Sequence, residues 1–407
     1  MATINYLAFA IPAFFLFVFM EYKLAQQKKR HSVFKYESSV ANFSVGIAER
    51  LLNLFIAASF YQVYYWIYTN YAIFEIPNKW YIWIFLLLVT DFVWYWYHRL
   101  GHEINFLWAA HIVHHQSEEF NLTAAARITT IQAGFRNVFW CILPLLGFHP
   151  DMIIVILLAH GAYSFFTHTQ LIGKIGWLEH VFITPSLHGV HHASDEKYLD
   201  KNYGDVFVFW DKIFGTFQTE EEPPKYGLTH PIKSYSFLWQ HFHYYLEILA
   251  AYKQADGFKE KWDAIFGSPA LMDQNIRPQL ELKFLQNKTK DRKIKFKGYV
   301  NSQMILIVVL LTLTTMFYES IKQLNAFAIL IFVIITLINV GALLEQRKWI
   351  YYLECFRLIF VFAYIFYAFN IFELLIFPVV GLIIFERTFA LSLLYNKYIL
   401  KHKNTKN

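Results

Sequence analysis

Runs of apolar residues long enough to cross a bilayer recur through this chain, and they restrict the fold before any motif is considered. A spanning helix needs roughly 20 mostly apolar residues. Such runs lie near 5 to 22, 44 to 68 and 79 to 97, then about 130 to 147 and 150 to 168, with four more starting near Met304, Ala326, Ile350 and Phe372. Gly147 and Pro150 separate the two middle runs, which predicts a tight hairpin dipping into or crossing the membrane. With 57% hydrophobic and 16% charged residues, the composition excludes a set of soluble domains.

Charge orients these helices. The segment KLAQQKKRH after the first run is strongly basic, which places it in the cytoplasm and the amino terminus outside. The amino-terminal segment lacks a basic leader and a small-residue cleavage site, so it reads as a retained helix. The third span then ends inside, in WYWYHRLGH. The polar region from about 176 to 300 closes on the basic run KTKDRKIKFKG, and the last four spans return the tail KHKNTKN to the cytosol. Two parts follow: a membrane-embedded catalytic domain with a cytosolic cap over 1–300, its core at about 79–220, and carboxy-terminal transmembrane helices over 301–407. The net charge of +6 sits mainly in Lys and Arg clusters beside apolar runs, which suits anionic headgroups; no nucleic-acid-binding motif is present. Cys141 and Cys355 make neither a disulfide framework nor a thiolate metal site.

Chemistry concentrates in three histidine clusters: His98 and His102; His111, His114 and His115; His188, His191 and His192. Residues three or four apart share a helix face, so each cluster can aim its imidazoles at one point. Eight imidazoles exceed the needs of one tetrahedral or octahedral ion and fit two, with positions left open. The expected fold is an all-α integral membrane protein whose histidine-rich cytosolic cap holds a dinuclear metal site. Taken alone, the spacing also admits a one-zinc hydrolase or isomerase, haem ligation, or histidines along a transport path. Transport sites lie near the bilayer midplane, whereas these clusters lie at span ends and in polar segments.

The pattern resembles the fatty acid hydroxylase and sterol desaturase superfamily. Within it, the stretches HRLGHEINFLWAAHIVHHQSEEFNLTAAAR and HGVHHASDEKYLDKNYGDVFVFWDKIFGTF are similar to those of the alkylglycerol monooxygenases; the likeness covers about 90 to 220. The resemblance implies two histidine-held irons, dioxygen as co-substrate, and hydrogen abstraction from an unactivated C–H bond of a lipid. The carbon attacked would lie beside an ether oxygen, giving a hemiacetal that breaks down to an aldehyde and glycerol, with tetrahydrobiopterin as reductant. Fatty acyl, sterol or carotenoid hydroxylation or desaturation is the alternative within the superfamily, and a zinc-dependent membrane hydrolase is the alternative outside it. Iron supplies the one-electron steps that zinc cannot. No fused cytochrome domain is present, so electrons come from a separate donor or a pterin.

Further residues stand near the motifs. His168 is a candidate ninth ligand or a histidine bonded to a neighbouring helix, and His160 is a channel residue or an interhelical hydrogen bond. Glu103, Asp205 and Asp211 could accept from distal imidazole nitrogens. Asn121 and Tyr203 match the resembled pattern and could bond a ligand or the lipid head, although Asn121 also suits a loop cap. The aromatic stretch FVWYWYH reads mainly as interfacial anchoring, and Asp91 within it is costly in lipid and so should face the interior.

Overall fold

The computed structural model describes residues 4–285, 297–370 and 373–399. His402, Phe372, the tail KHKNTKN and most of KTKDRKIKFKG lie outside the described residues. The described residues are helical, with two isolated bridges, Phe182 to Phe207 and Ala193 to Tyr226, in place of any sheet. Among the described residues, seven helical stretches are long and apolar enough to cross a membrane: Tyr6–Gln27, His31–Tyr71, Trp80–Glu103, Pro150–Thr167, Lys297–Met316, Gln323–Leu344 and Ile350–Phe369.

The chain divides into two compact units. One comprises Ala13–Lys233 and His241–Phe284. Its helices begin with α1 (Ala10–Gln27), α2 (Tyr36–Tyr71), α3 (Trp80–Glu103) and α4 (Asn105–His111), followed by α5 (Thr130–Trp140), α6 (Ile142–Leu146), α7 (Pro150–Thr167), α8 (Pro185–His191) and α9 (Phe209–Phe214). Helices α10 (Phe237–Gln254), α11 (Phe258–Phe266) and α12 (Ile276–Phe284) complete the sequence of elements before residue 285.

The run at 130 to 147 does not form one span. It breaks at Cys141 into α5 and α6, because Pro144 cannot donate into a continuing helix and the chain reverses at Gly147. The shorter helices instead pack inward: Trp140 and Leu143 join Tyr64, Leu86, Phe148, Met152, Ile153 and Ile156 in a core that ties α2, α3 and α7 together. A second core, of Val45, Ala109, Ile112, Val113, Tyr244 and Ile248, lies under the segment that carries the second histidine cluster.

Close contact at one glycine seats α2 against that region. A β-carbon at Gly46 would lie 2.8 Å from both the β-carbon and the carbonyl oxygen of Ala126. Gly46→Leu is therefore expected to cost about 1–3 kcal/mol through overpacking and to lower the melting temperature of the detergent-solubilised protein. A melting curve superimposable on that of the parent would refute this contact.

The second unit comprises Met1–Pro12, Ser234–Gln240 and Leu285–Asn407. It contains α13 (Lys297–Met316), α14 (Gln323–Leu344), α15 (Ile350–Phe369) and α16 (Glu373–Phe389). The run starting near Phe372 forms α16, which at 17 residues is the shortest of these four. One polar cluster inside these apolar helices is internally paired, as lipid favours. Arg357 binds Glu354 at 2.5 Å and Gln303 at 2.5 Å, and the Tyr299 hydroxyl donates to Glu354. Among its described residues this unit contains no histidine.

Candidate metal centre

Four stretches of chain deliver nine buried or nearly buried histidines. The last two turns of α3 present His98 and His102 on one face. Helix α4 ends at His111, and the chain tightens into a 3-10 turn at His114–Gln116 that carries His114 and His115. His168 caps α7. Helix α8 starts on Thr184, whose hydroxyl accepts the Leu187 N–H, and supplies His188 and His191, with His192 as its cap.

These side chains separate into two sets, in each of which the ligand atoms lie within 4.8 Å of one another: His98, His102, His111, His115 and His191 form one, and His114, His168, His188 and His192 the other. Spacing accounts for the split within each triplet. In each HxxHH triplet the members four apart share a set, His111 with His115 and His188 with His192, while the remaining member, His114 or His191, turns to the other. Each triplet thus bridges both sets, and the His115 and His192 rings stack across the boundary with centroids 4.3 Å apart.

Hydrogen bonds fix which nitrogen faces inward. Nδ1 of His98 donates to the Tyr203 carbonyl at 2.8 Å, Nδ1 of His191 to the Lys201 carbonyl at 2.9 Å, and Nδ1 of His168 to the Ser164 carbonyl at 2.7 Å. A carbonyl only accepts, so these Nδ1 atoms carry the proton and the Nε2 lone pairs are bare. Gln132 lies 2.8 Å from Nδ1 of His111, and its buried Oε1 lacks a partner; turning the amide over lets Oε1 accept from His111 in the same sense.

The Nε2 atoms then converge. His98 and His111 are 3.1 Å apart, His115 and His111 3.2 Å, His168 and His114 3.1 Å, His188 and His168 3.0 Å, and His192 and His188 3.2 Å. Buried Nε2 atoms of His102 and His191 have no hydrogen-bond partner. With metal–imidazole bonds of about 2.0–2.1 Å, nitrogens at right angles on a shared ion stand about 3.0 Å apart. Facing lone pairs in a dry interior are costly unless a cation sits between them. The donor set therefore fits two first-row transition ions.

Electrostatics favour the neutral, ligating form. Burial, followed by neighbouring imidazoles, holds His111, His114, His115, His188 and His192 well below the ordinary histidine range, as it does His191, where the Lys201 carbonyl partly opposes it. Burial pushes His168 down to about 4. Because the unfolded chain takes up these protons near pH 6.5 and the folded chain resists, stability is full above that pH and falls on acidification towards pH 4. Thermal melting in detergent across that interval should show a declining midpoint; a flat profile would contradict the burial of these rings.

The other expected residues are distributed more widely. Glu103 does not reach an imidazole: Arg99, one turn earlier, donates to it at 2.8 Å on an exposed face. Asn121 caps its loop, with Oδ1 accepting from Thr123 N–H and hydroxyl and Nδ2 donating to the Val33 carbonyl. Tyr203 serves His98 through its carbonyl, and its ring packs within 5.3–5.8 Å of those of His98, His102 and His191. Asp205 pairs with His160 at 2.8 Å instead of a cluster histidine, and Asp211 accepts the N–H groups of Tyr203 and Gly204. Asp91 is buried and takes N–H bonds from Val206, Phe207 and Trp210. The FVWYWYH stretch is built into the protein more than into an interface: Tyr95 and Tyr97 are buried, and Trp94 stacks on Trp140.

Sequence reasoning missed Arg127. Fully buried, it donates from Nε to the Val113 carbonyl at 2.7 Å, from one terminal nitrogen to Asn42 at 2.8 Å, and from the other to Gln116. Burial pushes its pKa down to about 9. Asn42 continues the network to Thr123 and Ser117. The chain between the second histidine cluster and α5 is thereby stitched to α2. Gln132 was missed as well, since a glutamine on a helix gives no sign of what it orients.

Comparison with known proteins agrees with this geometry. A fatty acid hydroxylase family model matches residues 83–216, the stretch holding all nine histidines. Human alkylglycerol monooxygenase is 33% identical over 84% of this chain and 78% of its own length, and the Danio rerio alkylglycerol monooxygenase is 30% identical over 88% and 81%. Human cholesterol 25-hydroxylase is 28% identical over 35% of this chain and 53% of its own. No solved structure matches. The chain belongs to the fatty acid hydroxylase family, in the group that contains the alkylglycerol monooxygenases, and is a membrane-embedded lipid monooxygenase.

Proposed function

We propose that the two histidine sets hold a pair of iron ions and that the enzyme hydroxylates the ether-bearing carbon of an alkylglycerol lipid. The observation that carries the metal reading is the convergence of Nε2 atoms in two separate sets, five and four strong. His98, His102, His111, His115 and His191 would hold one ion and His114, His168, His188 and His192 the other. Iron bound there would supply the one-electron steps that dioxygen activation and C–H cleavage require, which redox-silent zinc does not.

The protein's own part is positional. Carbonyls of Tyr203, Lys201 and Ser164 aim three of the rings. The Tyr203 ring shields one flank of the five-histidine set. Asn121 fixes the loop after the second cluster, and Glu103 fixes the end of α3 through Arg99. Hydroxylation of the carbon next to an ether oxygen uses one dioxygen, two electrons and two protons, and yields a hemiacetal and water; the hemiacetal collapses to an aldehyde and a free glycerol hydroxyl. The electrons come from a separate donor, with tetrahydrobiopterin the reductant that fits the ether-lipid reading.

The basic segment after α1 supports a cytoplasmic active site. In the same reading, residues 1–300 form the catalytic domain, with its core at about 79–220, and residues 301–407 a set of carboxy-terminal membrane helices.

Membranes containing the full chain, supplied with labelled alkylglycerol, should release labelled aldehyde only with dioxygen and a reductant, and faster with tetrahydrobiopterin. Metal analysis should find two irons per chain. Turnover of a sterol without turnover of the ether lipid would transfer the assignment to sterol hydroxylation. One zinc per chain with an oxygen-independent product would replace it with hydrolysis.

A further inference from the structure

Beyond the histidines, three buried aspartates of the first unit gather around a single short stretch of backbone. Residues 200–207 belong to no helix, and Asp200 and Asn202 take the left-handed conformation, at φ 58° and 54°. Gly204 is pressed so closely that a β-carbon there would lie 2.6 Å from the Phe207 carbonyl oxygen and 2.8 Å from Asp211 Oδ2. From this stretch the Lys201 carbonyl meets His191 on α8 and the Tyr203 carbonyl meets His98 on α3. Both rings belong to the five-histidine set, and no ring of the four-histidine set takes its acceptor here.

Irregular backbone needs fastening, and three buried carboxylates supply it. Asp211 accepts the N–H of Tyr203 at 2.8 Å and of Gly204 at 2.9 Å. Asp91, on α3 two turns before His98, accepts from Val206 N at 2.9 Å, Phe207 N at 3.2 Å and the Trp210 indole at 3.0 Å. Asp205 is tied by His160 of α7 at 2.8 Å. Exposure is 3% or less for Asp91, Asp205, Asp211 and His160. Loss of any of these acceptors would orphan buried N–H groups, which the chain can relieve only by moving.

We infer that Asp91, Asp205, Asp211 and His160 form a clamp on residues 200–207, and that this strap sets the aim of His98 and His191 and so governs the affinity of the five-histidine set alone. In this inference the four act as positioning residues and hold no metal. The inference rests on the metal-centre reading above. Donor atoms of Asp91, His160 and Asp205 also lie within 4.8 Å of one another, but both Asp91 oxygens already accept N–H bonds and Asp205 Oδ2 is occupied by His160.

Cobalt(II) titration of the full chain, purified in detergent and stripped of metal, tests this by absorbance. The parent should show two binding steps, assigned by His191→Ala, which removes one, and His192→Ala, which removes the other. Asp91→Asn and His160→Gln should weaken the His191-dependent step about 10- to 100-fold and leave the other unchanged. Trp210→Phe, which deletes a single N–H and is the mildest change, should shift the same step by a smaller factor. Equal weakening of both steps, no weakening of either, or an additional parental binding step that Asp91→Asn abolishes would overturn the clamp. A parent that binds no cobalt would instead overturn the metal centre on which the clamp rests.

Discussion

Arg127→Met is expected to destabilise the protein by about 3 kcal/mol or more and to strip metal from both sets. The substitution removes the donor from two buried acceptors, the Val113 carbonyl and Asn42, and from the half-buried Gln116, and each buried acceptor left unpaired costs about 1–3 kcal/mol. Val113 lies between His111 and His114, which face different sets, so release of its carbonyl disturbs the centre on both sides. Arg127→Lys keeps the charge but offers a single point of donation, and should fall between parent and methionine variant. Melting temperature and bound metal, measured together in detergent, check the expectation. Parent-like values for Arg127→Met would show that the guanidinium is dispensable.

His188→Ala should reduce turnover more than about a hundredfold, because a ligand matters at least as much as the outer partners whose loss costs 10–100-fold. Its Nε2 stands 3.0 Å from that of His168 and 3.2 Å from that of His192, so its removal opens the middle of the four-histidine set. His180→Ala, an exposed histidine eight residues earlier in the chain, should retain parental turnover. Similar losses for the two variants would mean that general damage to this region, and not ligation, explains the effect.

Much of the architecture could be read from hydropathy because lipid imposes one rule on every segment: stay apolar for about 20 residues or do not cross. That rule failed at 130 to 147, where Pro144 and the reversal at Gly147 turn an apolar run into two short core helices. The histidines were legible for a related reason: helical spacing fixes which ring shares a face with which, so the triplets could be seen to converge. Their division into five and four required three dimensions, since it depends on where α7 delivers His168. The carboxylates were harder. Glu103 adjoins a ligand in sequence, yet points along its helix to Arg99, whereas Asp211 lies far from any ligand and fastens the Tyr203 backbone. Asp91 could be assigned to the interior from its cost in lipid, but its three N–H partners come from residues more than a hundred positions away. Proximity in sequence is a poor guide to partners that meet only through the fold.

Helix α2 has 36 residues, which at 1.5 Å per residue makes a rod about 54 Å long, against a hydrocarbon layer about 30 Å thick. Its early turns bury Asn42, one hydrogen bond from Arg127, while its far portion presents Tyr65, Trp66 and Tyr71 outward. Lipid thickness and the Arg127 network beside the second histidine cluster therefore act on one helix. In vesicles of short-chain and long-chain lipids, tilt of this rod should make oxygenation rate depend on the width of the host bilayer.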